Sequence, residues 1–317
     1  MPSLAPAPPR LASTLPTVAL LAVTATWGST FFLIKDLLTE ISVLDFLSIR
    51  FLLAAAVLLA VAPRSLLRLS PAELRQGVGL GLVYGVGQVL QTIGLDRTTA
   101  SIAGFVTGMY VVATPLFAAV LLREQISRWM WLAVLLSTAG LAFLSLQGLS
   151  VSLGVALVFA SAMLYALHIL GLARFSTPAN AFGLSVLQMV VIAVVCTAAS
   201  APYGMATPQT GGGWLSLVYM AVVAGAGALW AQTWAQAHLS ATRAAIIMTM
   251  EPVFAAFFAV LFGGEELTVR MAGGGTLVVA AMLLAELAPK PASGDSPPDA
   301  PAQRGQPLAP PATPPPR

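Results

Sequence analysis

Apolar residues fall in ten runs, each about long enough to cross a bilayer, and charged residues collect mostly in the gaps between them. The runs cover residues 15–35, 44–62, 77–94, 99–121, 129–147, 153–173, 180–199, 213–236, 241–262 and 269–288. A helix rises about 1.5 Å per residue, so roughly 20 apolar residues span the ~30 Å hydrocarbon core. The runs lack the ten-residue alternation of membrane-barrel strands. Backbone polar groups in hydrocarbon must be satisfied within the protein, which leaves helices. The pattern predicts an all-α integral membrane protein with ten transmembrane helices. The third run is the shortest and holds Tyr84, Gln88 and Gln91. The first follows Arg10 as a signal peptide would, but it continues past Ala25 through Phe31 to Ile34 and is read as a retained helix.

Composition agrees: 58% of residues are hydrophobic and 9% charged, against roughly 25% charged in a soluble domain. Residues 1–14 form a short leading segment, and the Pro- and Ala-rich tail at 289–317 is predicted to be disordered. With the first residue in the cytoplasm, Arg64, Arg68, Arg75, Arg123, Arg128, Arg174 and Arg243 all fall inside, whereas the outer ends hold Lys35, Arg97 and Arg270. The positive-inside rule then puts both termini in the cytoplasm, in a cytoplasmic membrane. The arginines read as loop anchors, and no nucleic-acid partner is expected. The single cysteine, Cys196, excludes an intramolecular disulfide.

A repeat lies beneath the ten runs. Shifted by 141, residues 87–124 lie over 228–265 without a gap: Gln91-Thr92 on Gln232-Thr233, Ala100 on Ala241, Met109 on Met250, Phe117-Ala118 on Phe258-Ala259, and Glu124 on Glu265. The third run thereby pairs with the eighth and the fourth with the ninth. Each half, 15–147 and 153–288, holds five spans. An odd number turns the second half upside down, giving the inverted repeat common in alternating-access carriers.

Several residues are out of place in lipid. Glu251 lies mid-span in Met248-Thr249-Met250-Glu251-Pro252, where an unpaired charge costs several kcal/mol. It reads either as a site for a proton or a substrate amine, or as a structural carboxyl bonded to a neighbouring helix. Tyr110 is its counterpart in the other half. Arg50 lies inside the second span and has three readings: snorkelling to the surface, an ion pair with Asp45, or a place in the cavity wall. Pro115 and Pro252 each remove a backbone donor and are candidate hinges. Trp27, beside Gly28 and Ser29, reads as a helix-packing or cavity-wall residue. Gln91 and Gln232 are buried amides, and Tyr84, Gln88, Thr107, Tyr165, His168, Trp230 and Trp234 add polar and aromatic character. His168 has no metal partner, since the only other histidine, His238, lies near a loop. No metal or cofactor is expected. There is no phosphate-binding P-loop, no H-E-x-x-H and no row of arginines, which leaves a carrier as the simplest class.

Taken together, Trp27-Gly28-Ser29, Arg50-Phe51, Pro252 followed by a helix end at Glu265-Glu266, and the stretch from Thr99 to Tyr110 resemble the drug/metabolite transporter superfamily, EamA-type branch, over about residues 14–288. The resemblance implies a ten-helix carrier of two inverted halves that exports or exchanges small metabolites. Its central cavity would be lined by helices one, three, four, six, eight and nine, pointing to Trp27, Gln91, Tyr110, His168, Gln232 and Glu251 as substrate-binding residues. The family pattern is met unevenly, because Pro115 sits nearer Glu124 than Pro252 does to Glu265. The expected partners are a small organic solute such as an amino acid, membrane lipids, and protons as a candidate coupling ion. The rivals are a multidrug or lipophilic-cation exporter and, more remotely, a membrane-embedded lipid-modifying enzyme or an assembly factor.

Overall fold

The computed structural model describes residues 11–98, 100–145, 152–201, 205–262 and 266–287. The tail, the first ten residues, Thr99, Glu265 and the side chain of Lys35 lie outside the described set. Fourteen α-helices are present among the described residues: α1 (Leu11–Gly28), α2 (Thr30–Leu37), α3 (Val43–Val61), α4 (Pro71–Asp96), α5 (Ala100–Gly108), α6 (Tyr110–Leu121), α7 (Arg128–Ser145), α8 (Leu153–Phe175), α9 (Ala181–Ser200), α10 (Gly211–Ala221), α11 (Ala228–Gln236), α12 (Ala241–Met248), α13 (Met250–Phe262) and α14 (Val269–Leu287). A π-helical stretch, Val222–Gly227, joins α10 to α11. Six helical stretches are long and apolar enough to cross a membrane, and four shorter ones are apolar as well. These correspond one for one to the ten runs, and the chain is a multi-pass, all-helical membrane protein.

Local chemistry sets the helix starts. Ser42, Ser152, Thr210 and Ser240 each accept a hydrogen bond from the backbone N–H three residues on, which satisfies a donor the helix cannot. Ser70 does this within a full capping box with Glu73, and Pro71 occupies the first turn. That signal starts the third span at residue 71, so it is 26 residues long and not the shortest.

Packing exchanges the two halves. Helix α3 lies on α9, α7 on α14 and α6 on α12, each joining a first-half span to its counterpart, while the contact of α4 with α8 is repeated by that of α11 with α1. Small residues allow the close approaches. A Cβ on Gly94 would meet the Gly154 carbonyl oxygen at 2.8 Å, and one on Gly140 would meet that of Gly274 at the same distance. Equivalent side chains repeat their bonds as well: Thr92 Oγ1 donates to the Gln88 carbonyl at 2.9 Å, and Thr233 Oγ1 to the Leu229 carbonyl at 2.7 Å.

Four spans are interrupted: the first at Ser29, the fourth at Met109, the eighth at Val222–Gly227 and the ninth at Thr249. Met109 (ψ −12°) and Thr249 (ψ −6°) break their helices alike. Pro252 accounts for the second break, since its ring offers no N–H to the Met248 carbonyl. Pro115 leaves the carbonyl of Val111 without a donor instead, two residues past the break at Met109. Gly108, immediately before that break, marks it better. The halves thus break within one residue of equivalent positions although their prolines are offset.

Candidate functional site

Three of the four interruptions, at Ser29, Met109 and Thr249, flank one cavity. It is lined by Trp27, Thr30 and Ile34 from the first span, Arg50 from α3, Tyr84, Gln88, Gln91, Thr92 and Leu95 from α4, Thr107 and Tyr110 from the fourth span, Tyr165, His168 and Ile169 from α8, and Gln232, Met248 and Glu251 from the eighth and ninth spans. Its free volume is about 70 Å³. All six residues expected to bind solute are here: Trp27, Gln91, Tyr110, His168, Gln232 and Glu251. Pro115 is outside it, and Pro252 borders a small side pocket shared with Gly104, Thr107, Gly108, Tyr110 and Glu251. Two aromatic residues face elsewhere: Trp230 is 43% exposed and stands against Phe182, and Trp234 stands against His238. Thr30, Ile34, Thr92, Leu95, Ile169 and Met248 had no distinguishing signal, being ordinary residues in apolar helices.

One wall is a chain of hydrogen bonds. Gln88 Nε2 donates to the Tyr165 hydroxyl at 2.8 Å, which donates to Gln91 Oε1 at 2.8 Å, and Gln91 Nε2 donates to Thr107 Oγ1 at 3.1 Å. Behind it the His168 ring stacks on Tyr84 with centroids 4.7 Å apart. His168 Nε2 is 2.7 Å from Gln188 Oε1, and the Gln188 amide nitrogen donates to the Leu184 carbonyl. The oxygen therefore faces the ring, so Nε2 carries the proton and donates. This histidine braces Tyr84.

The second half repeats the wall incompletely. Gln232 corresponds to Gln91 and Met248 to Thr107, and the Gln232 amide nitrogen lies 3.8 Å from the Met248 sulfur. A thioether accepts weakly, and Gln232 Oε1 is buried without a hydrogen-bond partner among the described residues. The Tyr110 hydroxyl is also buried with no hydrogen-bond partner among the described residues. A buried polar atom without a partner costs about 1–3 kcal/mol, so both point to a site that a solute or water completes.

Two charges complete the lining. Glu251, partly buried, has no hydrogen-bond or ion-pair partner among the described residues. Arg50 is only 6% exposed. Its Nε donates to the Met220 carbonyl at 3.2 Å, and its guanidinium lies 5.1 Å from the Phe51 ring centroid and 5.7 Å from that of Phe46. It neither snorkels nor pairs with Asp45, whose carboxylate accepts from Ser42 and Ser200 instead. Both hydroxyls lie nearer that carboxylate than the guanidinium does, leaving Arg50 to the cavity. Among the described residues, no cluster of His, Cys, Asp and Glu could hold a metal ion.

The π-helical stretch is gripped from two sides. Trp27 Nε1 donates to the Ala224 carbonyl at 2.9 Å, within the stretch, and Arg50 holds Met220 just before it. A π-turn displaces carbonyls from the regular ladder, and these side chains take them up. Outside the cavity, the Glu40 carboxylate accepts from Thr210 Oγ1 at 2.8 Å and from the N–H groups of Gln209 and Thr210 at 2.9 and 3.3 Å. It thereby ties the loop after α2 to the start of α10. The Thr210 hydroxyl foremost, then the Gln209 N–H, hold its carboxyl below the ordinary value of 4.5. A lowered carboxyl favours the folded state above the ordinary value and loses that effect as pH falls through the lowered one. Glu40→Gln is accordingly expected to flatten the acid limb of a thermal-stability profile below about pH 4.5 and to leave its shape above pH 6 unchanged.

A model of the EamA-like transporter family matches residues 15–146 and again 152–287. A protein of Archaeoglobus fulgidus described as an uncharacterized transporter is 30% identical over 275 residues, 85% of this chain and 85% of that protein. A solved structure titled only "Crystal structure of protein" is 18% identical, covers 85% of this chain and 96% of its own, and superposes with a TM-score of 0.73, so it shares the fold.

Proposed function

Because the chain belongs to the EamA-like transporter family, we propose that it is a secondary carrier for a small zwitterion of amino-acid type. The observation that carries this reading is that one cavity holds a carboxylate, Glu251, and a guanidinium, Arg50, neither with an ionic partner among the described residues. Charges inside a membrane protein are costly unless matched. A solute with an ammonium at one end and a carboxylate at the other matches both. Glu251 would take the ammonium, Arg50 the carboxylate through its remaining N–H donors, and Gln232 and Tyr110 would spend their free polar atoms on the same solute.

Size supports a metabolite over a bulky lipophilic cation. The cavity's free volume of about 70 Å³ is small against the roughly 300–1,000 Å³ of pockets that hold drug-sized ligands, which favours a small metabolite. We take residues 15–147 and 153–288 as two halves that rock about this site, with both termini in the cytoplasm and export as the direction. The interrupted spans at Ser29, Met109, the π-stretch and Thr249 are where such rocking would bend the chain.

The test is thermal stabilisation of the purified protein by small amino acids, by amines, by carboxylates and by lipophilic cations. Amino acids are expected to stabilise it most. Arg50→Gln removes charge-assisted bonds worth about 1.5–3 kcal/mol, weakening their binding about ten- to a hundredfold. Strong stabilisation by a lipophilic cation with none by any amino acid would sink the zwitterion reading.

A further inference from the structure

A second cavity, of about 450 Å³, lies away from the central one. It is bounded by the connection from α3 to α4, with Val61, Arg64, Ser65, Arg68 and Leu69, and by the start of α9, with Asn180, Phe182 and Gly183. The connection is held down at Gly183, where a Cβ would meet the Ser65 carbonyl oxygen at 3.0 Å and Leu69 Cδ2 at 2.9 Å. It is therefore a formed groove and not a free loop. Arg64 and Arg68 are exposed, and neither side chain has a hydrogen-bond or ion-pair partner among the described residues. The one carboxylate lining the groove among the described residues, Glu73, is already engaged: the Ser70 N–H and hydroxyl donate to it at 2.8 and 2.7 Å, and Asn180 Nδ2 at 2.8 Å. Two free guanidiniums remain against one satisfied carboxylate.

The surroundings say at what depth this groove lies. Val61 is 69% and Leu67 82% exposed. The Phe182 and Trp230 rings pair alongside, with centroids 6.1 Å apart. Exposed aliphatic side chains in a multi-pass protein belong against hydrocarbon, and aromatic rings gather where hydrocarbon meets headgroups. Arginines at that boundary sit level with lipid phosphates, whose oxygens fit the guanidinium fork.

We propose that this groove binds an anionic phospholipid, its phosphate between Arg64 and Arg68 and an acyl chain along Val61 and Phe182. The lipid would join the α3–α4 connection of one half to the first turn of α9 in the other, bridging the halves on one membrane face. Its headgroup supplies the negative charge the groove lacks, and its chains cover the apolar side chains a soluble anion would leave bare.

The experiment is native mass spectrometry of the full chain in detergent with phosphatidylglycerol or phosphatidylcholine added. Wild type is expected to retain phosphatidylglycerol, with phosphatidylcholine lost. The double variant Arg64→Gln/Arg68→Gln is expected to bind phosphatidylglycerol about ten- to thirtyfold more weakly, and Arg64→Lys/Arg68→Lys to recover part of that loss. Arg75→Gln, whose arginine is exposed and bonded to the Pro71 carbonyl outside the groove, is expected to bind as wild type does. Equal retention by the double glutamine variant, or equal retention of phosphatidylcholine, would overturn the proposal. So would displacement of the lipid by millimolar inorganic phosphate, which would make this a site for a soluble anion.

Discussion

Glu251→Gln is expected to remove amino-acid binding and to leave the empty protein as stable as wild type or more so. The two halves of that result separate a ligand-binding carboxylate from a structural one. Removing one partner of a buried charge pair costs about 2–5 kcal/mol, so binding should weaken from about thirtyfold to more than a thousandfold. Among the described residues that carboxylate has no partner in the empty protein, and a neutral amide of the same shape relieves the desolvation. Paired melting curves with and without a stabilising amino acid read both effects. A Glu251→Gln protein that is less stable when empty, yet is stabilised by amino acid as wild type is, would assign the carboxyl to the fold.

Gly28→Leu is expected to destabilise the protein by about 1–3 kcal/mol and to abolish transport with no polar group removed. A Cβ at this position would lie 2.7 Å from Phe254 Cβ, 2.8 Å from the Ala255 nitrogen and 2.9 Å from the Glu251 carbonyl oxygen. Two of those atoms are backbone of α13, which cannot turn aside as a side-chain tip can. The first span must withdraw, or α13 must move and carry Glu251 with it. Gly79 provides the contrast, because nothing lies within 4 Å of a Cβ built there. Gly79→Ala should melt and transport as wild type does. Gly28→Leu with wild-type melting and uptake would show that the helices are not held together at that point.

The ten spans could be read from the sequence because a lipid environment permits so few structures, and their edges match to within a few residues except at the third. There Glu73, Arg75 and Gln76 end the apolar run at residue 77, while the capping signal at Ser70-Pro71 lies before them and starts the helix earlier. Most of the cavity was legible because its residues are anomalous in lipid: Glu251, Gln91, Gln232 and Trp27 stand out from Leu, Val and Ala. Trp230 and Trp234 stood out equally yet face away. Helical periodicity distinguishes them, since Trp230 lies two residues and thus about 200° from Gln232 on the helix. Arg50 was less accessible. Its burial depends on the Met220 carbonyl beside a π-helical stretch and on two phenylalanine rings, and no residue pattern announces a π-turn in Val222–Gly227. Its cavity position could therefore only be one reading among three.

The counterpart positions Tyr110 and Glu251 bear on why a single chain forms this site. Two identical five-helix subunits in antiparallel array would place the same residue at both centres. Two glutamates there would repel and favour a dication or a shared proton, while two tyrosines would offer no charge at all. Covalent linkage of the halves lets each centre carry its own chemistry. A cavity with a phenol on one side and a carboxylate on the other is handed, and a solute entering it has one preferred way round.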